Sequence, residues 1–219
     1  MTNFPDGHLR GAKGLLLAAG LPTAALAGWA LGGIASHAGL AQELDLPLAQ
    51  TLATHSASWM TRLMRMVTVL GGWPVAAVAA TAVGIAWFAL RKNFEGPVLL
   101  GVSLSGATVL EVVIKTAVGR PRPPVAHLIG ARGWSFPSGH ALRATVLFGV
   151  FAVLAGRLWP GWRARVRLWA VAALLVLLVG ASRMILGVHY LTDVLGGIAL
   201  GAAWLAITTT AFPPRAPRA

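Results

Sequence analysis

The segment that decides the architecture is SRMILGVHYLTDVLGGIALGAAWLAITTTA, residues 182–211. From about residue 194 onward the segment is uncharged and largely apolar. Residues 189–211 together are long enough to cross a bilayer, which takes roughly 20 residues. The first part also holds an arginine, a histidine and an aspartate. Ionisable side chains beside a membrane span are costly and indicate a function. The segment therefore predicts a membrane helix that begins at a reactive site.

These three ionisable residues are spaced so that they can act together. If the chain is helical from Val188 onward, His189 and Asp193 lie one turn apart on the same face, where the carboxylate can hold one imidazole nitrogen. The other nitrogen is then free to attack. Arg183 precedes them across Gly187, which permits a turn, and its planar guanidinium suits a phosphate. The spacing predicts a nucleophile, a group that orients it and an anion-binding cation.

Composition places this segment in an integral membrane protein. Of 219 residues, 57% are hydrophobic and 11% are charged, whereas about a quarter of the residues of soluble domains are charged. The net charge of +12 would favour a nucleic-acid partner in a soluble protein. Here the basic residues flank apolar runs and act as orientation signals, so we expect no nucleic-acid partner. Without cysteine, the chain has no thiol nucleophile and no cysteine metal site.

Six apolar runs predict an all-α, polytopic bundle, with residues 1–219 as a single domain. The predicted spans are, in order, residues 14–34, 66–90, 98–114, 141–158, 168–182 and 189–211. Residues 36–65 are more polar with helical, amphipathic spacing, which predicts a segment at the membrane surface. A cleavable signal peptide is the alternative for the first run, because a basic lead precedes it and Ala25 to Ala27 are small. The run continues past that site, which favours a retained span.

The basic residues also predict which face of the membrane each loop occupies. The amino-terminal lead, the turn at Arg91, the turn at residues 163–167 and the carboxy-terminal tail share one side of a six-span arrangement. The positive-inside rule makes that side cytoplasmic. Lys115, Arg122 and Arg183 then fall on the external face, where basic residues are disfavoured. Anion binding is a reason for them to be there.

The start of the fourth predicted span offers a second candidate site. Pro137 and Gly139 shape a turn in which backbone amides and the Ser138 hydroxyl meet a helix amino terminus, which favours an anion. His140 stands beside that position. Plainer alternatives exist for single motifs, since a serine at a helix start is often only a cap. A histidine and aspartate pair in a membrane is often a packing or proton-relay pair.

Three motifs occur together in this chain. Residues 115–123 match K-x6-RP, residues 137–140 match PSGH, and residues 182–193 match SR-x5-H-x3-D. With the six-span layout they resemble, over nearly the whole chain, the type 2 phosphatidic acid phosphatase (PAP2) superfamily in its integral-membrane, lipid phosphatase branch. All three motifs are complete and in the family's order.

The resemblance implies a metal-independent phosphatase that acts on a lipid phosphate monoester or pyrophosphate. It implies His189 as the nucleophile that forms a phosphohistidine, Asp193 as its orienting partner, and His140 as the general acid and base. The phosphate-binding residues that it implies, with catalytic motifs within residues 115–193, are Lys115, Arg122, Ser138, Gly139 and Arg183. No metal and no cofactor is expected.

Two further charged residues keep open alternatives. Glu111 lies one turn before Lys115 and either braces that lysine from behind or contacts the substrate. Arg143 lies one turn after His140 and either reaches a second phosphate or lipid headgroup, or lies at the surface. Both are possible supporting residues of the site.

The substrate and the location are predicted more loosely. Small size and an outward site favour an isoprenoid carrier such as undecaprenyl pyrophosphate, in a bacterial inner membrane with the site toward the periplasm or exterior. The partners expected are this lipid phosphate and the membrane lipids. A phosphotransferase with the same intermediate and a transporter that uses the charges as an ion path are the alternatives. Sequence does not determine the lipid or the oligomeric state.

Overall fold

The computed structural model is a bundle of α-helices and describes residues 6–37, 41–159 and 161–213. These residues form eight α-helices: α1 Asp6–His37, α2 Leu46–His55, α3 Ser58–Thr68, α4 Trp73–Arg91, α5 Glu95–Val118, α6 Gly139–Leu158, α7 Trp162–Ile185 and α8 Leu191–Ala211. A π-helical turn, Ala41–Asp45, precedes α2, and a 3₁₀ turn, Val69–Gly71, joins α3 to α4. The described residues contain no β-strand. The all-α prediction is confirmed, while the extreme ends of the predicted basic lead and tail lie outside the described residues.

Six of these helices are long and apolar enough to cross a membrane, namely α1, through residues 16–36, and α4 to α8. The predicted number of spans is confirmed, but three predicted starts are wrong. The second span begins at Trp73, because Gly72 is extended and Pro74 stands in the first turn of α4; Met66 belongs to α3. The fifth span begins at Trp162, so residues 163–167, predicted as a turn, form the first turns of α7. The last helix begins at Leu191 and not at His189.

Helix α6 lies at the centre of the bundle and packs against α5, α7 and α8. Small residues let α8 approach it closely, as is common between membrane helices. A Cβ on Gly201 would lie 2.9 Å from the Leu142 carbonyl oxygen, and one on Gly197 would lie 2.6 Å from the Ser138 carbonyl oxygen. The first turns of the two helices are joined directly, because the Ser138 amide donates to the Asp193 carbonyl at 3.0 Å. This packing brings the second and third sequence motifs together.

Helices α2 and α3 are too short to span, in agreement with the predicted surface segment. Helix α3 exposes Trp59, Leu63 and Met66 and buries Met64 and Thr68. Its buried side packs against α7. The amphipathic helix therefore covers one flank of the end of the bundle that carries the motifs, which we call the motif end (residues 111–143 and 182–193).

Helix α1 is an integral part of the bundle, packed against α5 and α8. A Cβ on Gly28 would lie 2.3 Å from Ile114 Cδ1, and one on Gly20 would lie 2.6 Å from Ile207 Cγ2. Such close packing favours a helix that is retained over a signal peptide that is removed.

Candidate active site

All three sequence motifs meet at the motif end. The last turns of α5 and α7, the loop 119–138 and the first turns of α6 and α8 supply the residues. His140, at the second position of α6, lies within electrostatic reach of Arg183, Arg143, His189 and Lys115. Residues predicted from segments that are far apart in sequence are thus gathered in one site.

The predicted contact between His189 and Asp193 is present, but its geometry differs from the expected one. His189 stands outside the helix, after a turn in which Gly187 adopts a positive φ of 75°. Asp193 lies in the first turn of α8, where Oδ2 accepts a hydrogen bond from the Tyr190 amide at 2.9 Å. The same oxygen is 3.4 Å from His189 Nδ1. The assumption of a helix from Val188 onward is wrong because the carboxylate caps the helix and reaches back to the ring.

The second ring nitrogen of His189 faces a cation. Nε2 lies 3.4 Å from Nη1 of Arg122, which can only donate, so Nε2 is the acceptor and Nδ1 carries the proton toward Asp193. The residue is 3% exposed. Burial lowers the pKa of His189 to about 4, outweighing the raising effect of Asp193. The imidazole is therefore neutral near pH 7, with a free electron pair on Nε2.

Arg122 is fixed by backbone carbonyl groups. Its Nε donates to Gly133 at 3.0 Å, Nη2 to Arg132 at 2.8 Å and Nη1 to Val188 at 2.7 Å. Burial lowers the pKa of Arg122, although Asp193 opposes that shift, and a guanidinium keeps its charge nevertheless. The loop 119–138 thus holds a permanent positive charge beside His189, and among the described residues no carboxylate accepts a hydrogen bond from it.

Ser138 and Arg183 present unpaired polar atoms to this site. Ser138 is the residue before α6, yet its side chain makes no capping hydrogen bond. Arg183 uses Nη1 to donate to Thr68 Oγ1 at 2.7 Å. Within the described residues, Ser138 Oγ and Arg183 Nε are buried and lack a hydrogen-bond partner. Leaving such groups unpaired costs about 1–3 kcal/mol each, so their presence indicates a place built for a polar ligand.

Glu111 joins two predicted cations. Its carboxylate pairs with Lys115 Nζ at 3.1 Å and with Arg143 Nη2 at 2.7 Å. A Cβ on Gly139 would lie only 1.9 Å from Glu111 Oε1, so the carboxylate lies directly against the start of α6. This arrangement favours the bracing role for Glu111. Arg143 is 6% exposed and also donates to the Gly71 carbonyl at 2.8 Å, so the alternative of a surface position for Arg143 is wrong.

A second buried network lies behind Asp193, and no local pattern in the sequence predicts it. Arg120 Nη1 donates to Asp193 Oδ1 at 2.6 Å and Nη2 donates to Asp45 Oδ2 at 2.8 Å, while Ser135 Oγ donates to Asp193 Oδ2. Burial works to lower the pKa of Arg120, but Asp193 and Asp45 raise it overall. Asp45, expected on the surface segment, has no exposed area. The available signal was a single aspartate between two leucines.

The chemistry of the site is that of anion binding by nitrogen donors. In the described part of the chain no group of three or more histidine, aspartate or glutamate side chains is placed to hold a metal ion. A neutral imidazole nitrogen, three guanidinium groups, an ammonium group and a helix amino terminus converge instead. This set can receive a phosphoryl group and stabilise its oxygens.

Comparison with known proteins agrees with this arrangement. Residues 96–217 match the family model described as PAP2 superfamily. The chain belongs to the PAP2 superfamily. The matched region contains all three motifs and the helices α5 to α8, so the predicted family is confirmed.

Relatives of known activity fall in the same class. The chain is 31% identical over 168 residues to phosphatidylglycerophosphatase B of Bacillus subtilis, covering 76% of this chain and 82% of that protein. It is 34% identical over 114 residues to lipid A 1-phosphatase of Rhizobium johnstonii, covering 48% of this chain and 43% of that one. The prediction of a phosphatase of this superfamily is confirmed at the level of enzyme class.

Solved structures show the same fold. The crystal structure of a transmembrane PAP2-type phosphatidylglycerolphosphate phosphatase from Bacillus subtilis superposes with a TM-score of 0.78 at 27% identity, over 87% of this chain and 94% of that one. Aquifex aeolicus LpxE superposes with a TM-score of 0.59 at 24% identity, over 76% of this chain and 93% of that one, and shares the fold. With its six apolar helices, the chain is a multi-pass membrane protein.

Proposed function

We propose that this PAP2 protein hydrolyses a lipid phosphate through a phosphohistidine on His189. The observation that carries the proposal is the Nε2 atom of neutral His189, which lies next to Arg122. In the same site the buried atoms Ser138 Oγ and Arg183 Nε have no hydrogen-bond partner among the described residues. Residues 1–219 act as a single domain, because one apolar core joins side chains of α1, α4, α5, α6 and α8. Membership of the superfamily favours this enzyme over a transporter.

The first half of the reaction transfers the phosphoryl group to the protein. Nε2 of His189 attacks phosphorus in line as the bond to the lipid oxygen breaks, and His140 gives its proton to that oxygen. The positive charge that develops on the ring is balanced by Asp193, as in other orienting pairs. The products are the lipid alcohol, or lipid monophosphate from a pyrophosphate, and phosphohistidine.

The second half returns the protein to its starting state. His140, now neutral, takes a proton from water as the water oxygen attacks phosphorus and the nitrogen–phosphorus bond breaks. Inorganic phosphate leaves and His189 regains its free electron pair. Charge on the equatorial oxygens is stabilised throughout by preorganised donors. Those donors are Lys115, Arg122, Arg183, the Ser138 hydroxyl and the Gly139 amide, with Glu111 and Arg143 as their braces.

The substrate is a lipid whose phosphate lies at the membrane surface while its tails stay in the bilayer. Two named relatives act on phosphatidylglycerol phosphate and on lipid A 1-phosphate, so phosphatidylglycerol phosphate joins undecaprenyl pyrophosphate as a leading candidate. A panel of these lipids and phosphatidic acid, given to purified protein with EDTA present, tests the proposal. We expect phosphate release that vanadate blocks. Radiolabel recovered in an acceptor lipid would indicate the phosphotransferase, and activity that returns only with added metal would contradict the mechanism.

The motif end faces the exported side of a bacterial inner membrane in this proposal. The chain contains no cysteine, and a Cβ added at Gly130 in the loop 119–138 or at Gly161 in the opposite turn meets no atom within 4 Å. In intact cells an impermeant maleimide should label Gly130→Cys and spare Gly161→Cys. The reverse pattern would place catalysis in the cytoplasm.

A further inference from the structure

A carboxylate from outside the matched family region reaches the motif end. Asp45 lies in the π-helical turn between α1 and α2, 51 residues before the match begins at residue 96. Its side chain is fully buried. Oδ2 accepts from Arg120 Nη2 at 2.8 Å and from the Thr192 hydroxyl, and Oδ1 accepts from the Thr192 amide at 3.1 Å. Asp45 therefore grips both the Arg120 side chain and the first turn of α8.

These contacts continue to the nucleophile. Arg120 Nη1 donates to Asp193 Oδ1 at 2.6 Å and to the Thr192 hydroxyl oxygen at 2.7 Å. Asp193 Oδ2 is the oxygen that faces His189 Nδ1 at 3.4 Å. An unbroken chain of charged and polar contacts thus runs from Asp45 through Arg120 and Asp193 to the imidazole ring.

The charge balance explains why a second carboxylate is needed. Arg120 is buried and its one positive charge lies between Asp45 and Asp193. If Asp45 were neutral, Arg120 would pair with Asp193 alone and withdraw its negative charge from His189. The Nη2 end of the guanidinium would also lose its charged partner, which costs stability in a buried site. Either change would weaken the hold of Asp193 on the Nδ1 proton.

We propose that Asp45 is a positioning residue for the phosphatase reaction. It shares the charge of Arg120 and fixes Thr192, so that Asp193 keeps His189 in the tautomer whose Nε2 is free to attack. This inference rests on the proposed function, and it concerns catalysis after binding, because Asp45 acts through Arg120 and Thr192 and not through the phosphate-binding side chains.

The test is Asp45→Asn, which keeps the shape and removes the charge. Its matched control is Glu43→Gln, an exposed carboxylate in the same turn. Asp45→Asn should lower kcat roughly 10-fold to 100-fold, the size of a small misplacement of reacting groups, and leave KM within about twofold. Glu43→Gln should match the wild-type protein. A rise in KM with unchanged kcat would overturn the proposal.

A double-mutant cycle separates positioning from simple loss of structure. If Asp45 acts through Arg120, the protein carrying both Asp45→Asn and Arg120→Gln should be no slower than Arg120→Gln alone. Independent, multiplying losses would overturn the proposal. If Asp45→Asn does not fold, Thr192→Val probes the same chain while it leaves all charges in place, and it should lower kcat alone. An unaltered kcat in folded Thr192→Val would count against the proposal.

A spectroscopic measurement keeps the two proposals distinguishable. If the wild-type protein releases phosphate from none of the lipids, the proposed function fails, but the state of His189 is still measurable by nitrogen NMR of labelled histidine. The His189 ring, assigned with His189→Gln, should give a single neutral tautomer in the wild-type protein and a mixture in Asp45→Asn. Identical His189 ring signals in both proteins would alone contradict the positioning role of Asp45.

Discussion

Two buried arginines flank the candidate site, and they differ in their hydrogen-bond partners. Arg120 and Arg183 are each 5% exposed. Arg120 is paired with two carboxylates, whereas Arg183 donates to the neutral Thr68 and, in the described part of the chain, leaves its buried Nε unpaired. Burial therefore does not separate these two arginines, whereas the pairing of their donors does.

The surroundings of the two arginines deepen the contrast. The charges nearest to Arg183 include the like charges of Arg122 and Arg143, with Glu111 as the opposing one. Arg183 therefore lies in an excess of positive charge that a phosphate would neutralise, while Arg120 already has two carboxylate partners. Electrostatic catalysis of phosphoryl transfer would use both kinds of arginine, one that fixes the site and one whose donors are available to the substrate.

The largest expected effect comes from removing the imidazole of His189, which lies between the surroundings of Arg120 and those of Arg183. His189→Ala should lower turnover by about 10⁴-fold or more, because no neighbouring side chain can replace the proposed nucleophile, and the protein should remain folded. The measurement is phosphate release by purified protein, with His55→Ala, an exposed histidine on α2, as the matched control. Retention of more than a few per cent of activity would remove the phosphohistidine from the mechanism.

The next largest effect is expected from replacing Arg183, the arginine with an unpaired donor. Arg183→Gln should raise KM and the inhibitory vanadate concentration and lower kcat/KM by roughly 10²-fold to 10³-fold, since it removes a charge that the phosphoryl oxygens need in the transition state. Its melting temperature should stay near that of the wild-type protein or rise, because a buried, incompletely paired cation is lost. A variant that bound vanadate normally but unfolded readily would reverse the assignment of this arginine.

Replacing Arg120, the arginine with two carboxylate partners, should lower stability more than it lowers vanadate binding. Arg120→Gln leaves Asp45 and Asp193 as uncompensated buried charges, which costs about 3–5 kcal/mol of stability. We expect a marked fall in melting temperature in detergent, with vanadate affinity retained in the folded fraction. A thermally normal Arg120→Gln that had lost vanadate binding would mean that both arginines contact the phosphate and that the contrast between them is false.

The smallest effect is a shift in the titration of the nucleophile. Burial first, and then the neighbouring arginines, lower the pKa of His189 from its ordinary value of 6.5 to about 4, while Asp193 acts to raise it. The unfolded chain therefore binds this proton more readily, and His189 subtracts stability as pH falls from about 6.5 toward 4. Nitrogen NMR should show a neutral ring down to about pH 5. Asp193→Asn should lower the midpoint further, and a rise would contradict the assigned charge balance.

Much of the fold followed from the sequence because the length and polarity of an apolar run report directly on a bilayer span. The predicted helix boundaries are wrong where apolar residues lie outside a membrane span. Met66 continues an apolar run but lies on the exposed face of α3, and Gly72 with Pro74 then restarts the chain as α4. The sequence predicts a helix at His189 because the four-residue spacing does not show that Asp193 caps that helix.

The candidate site was predictable only where chemistry is concentrated in local motifs. His140, His189 and Arg122 stand in short patterns, and the structure brings them together. The pairing of Arg120 with Asp45 spans 75 residues, and a lone aspartate in an amphipathic segment carries no periodic signal of burial. A network that joins distant segments requires their packing to be known first.

The carboxylate of Glu111 against Gly139 carries a consequence for how this protein can change over evolutionary time. Gly139→Ala would place a methyl group 1.9 Å from Glu111 Oε1, so that exchange requires the Glu111 side chain to turn away or position 111 to become shorter. A shorter residue at 111 would in turn release the cations at positions 115 and 143. Two positions on separate helices are therefore coupled, and a change at position 139 costs less once position 111 has changed.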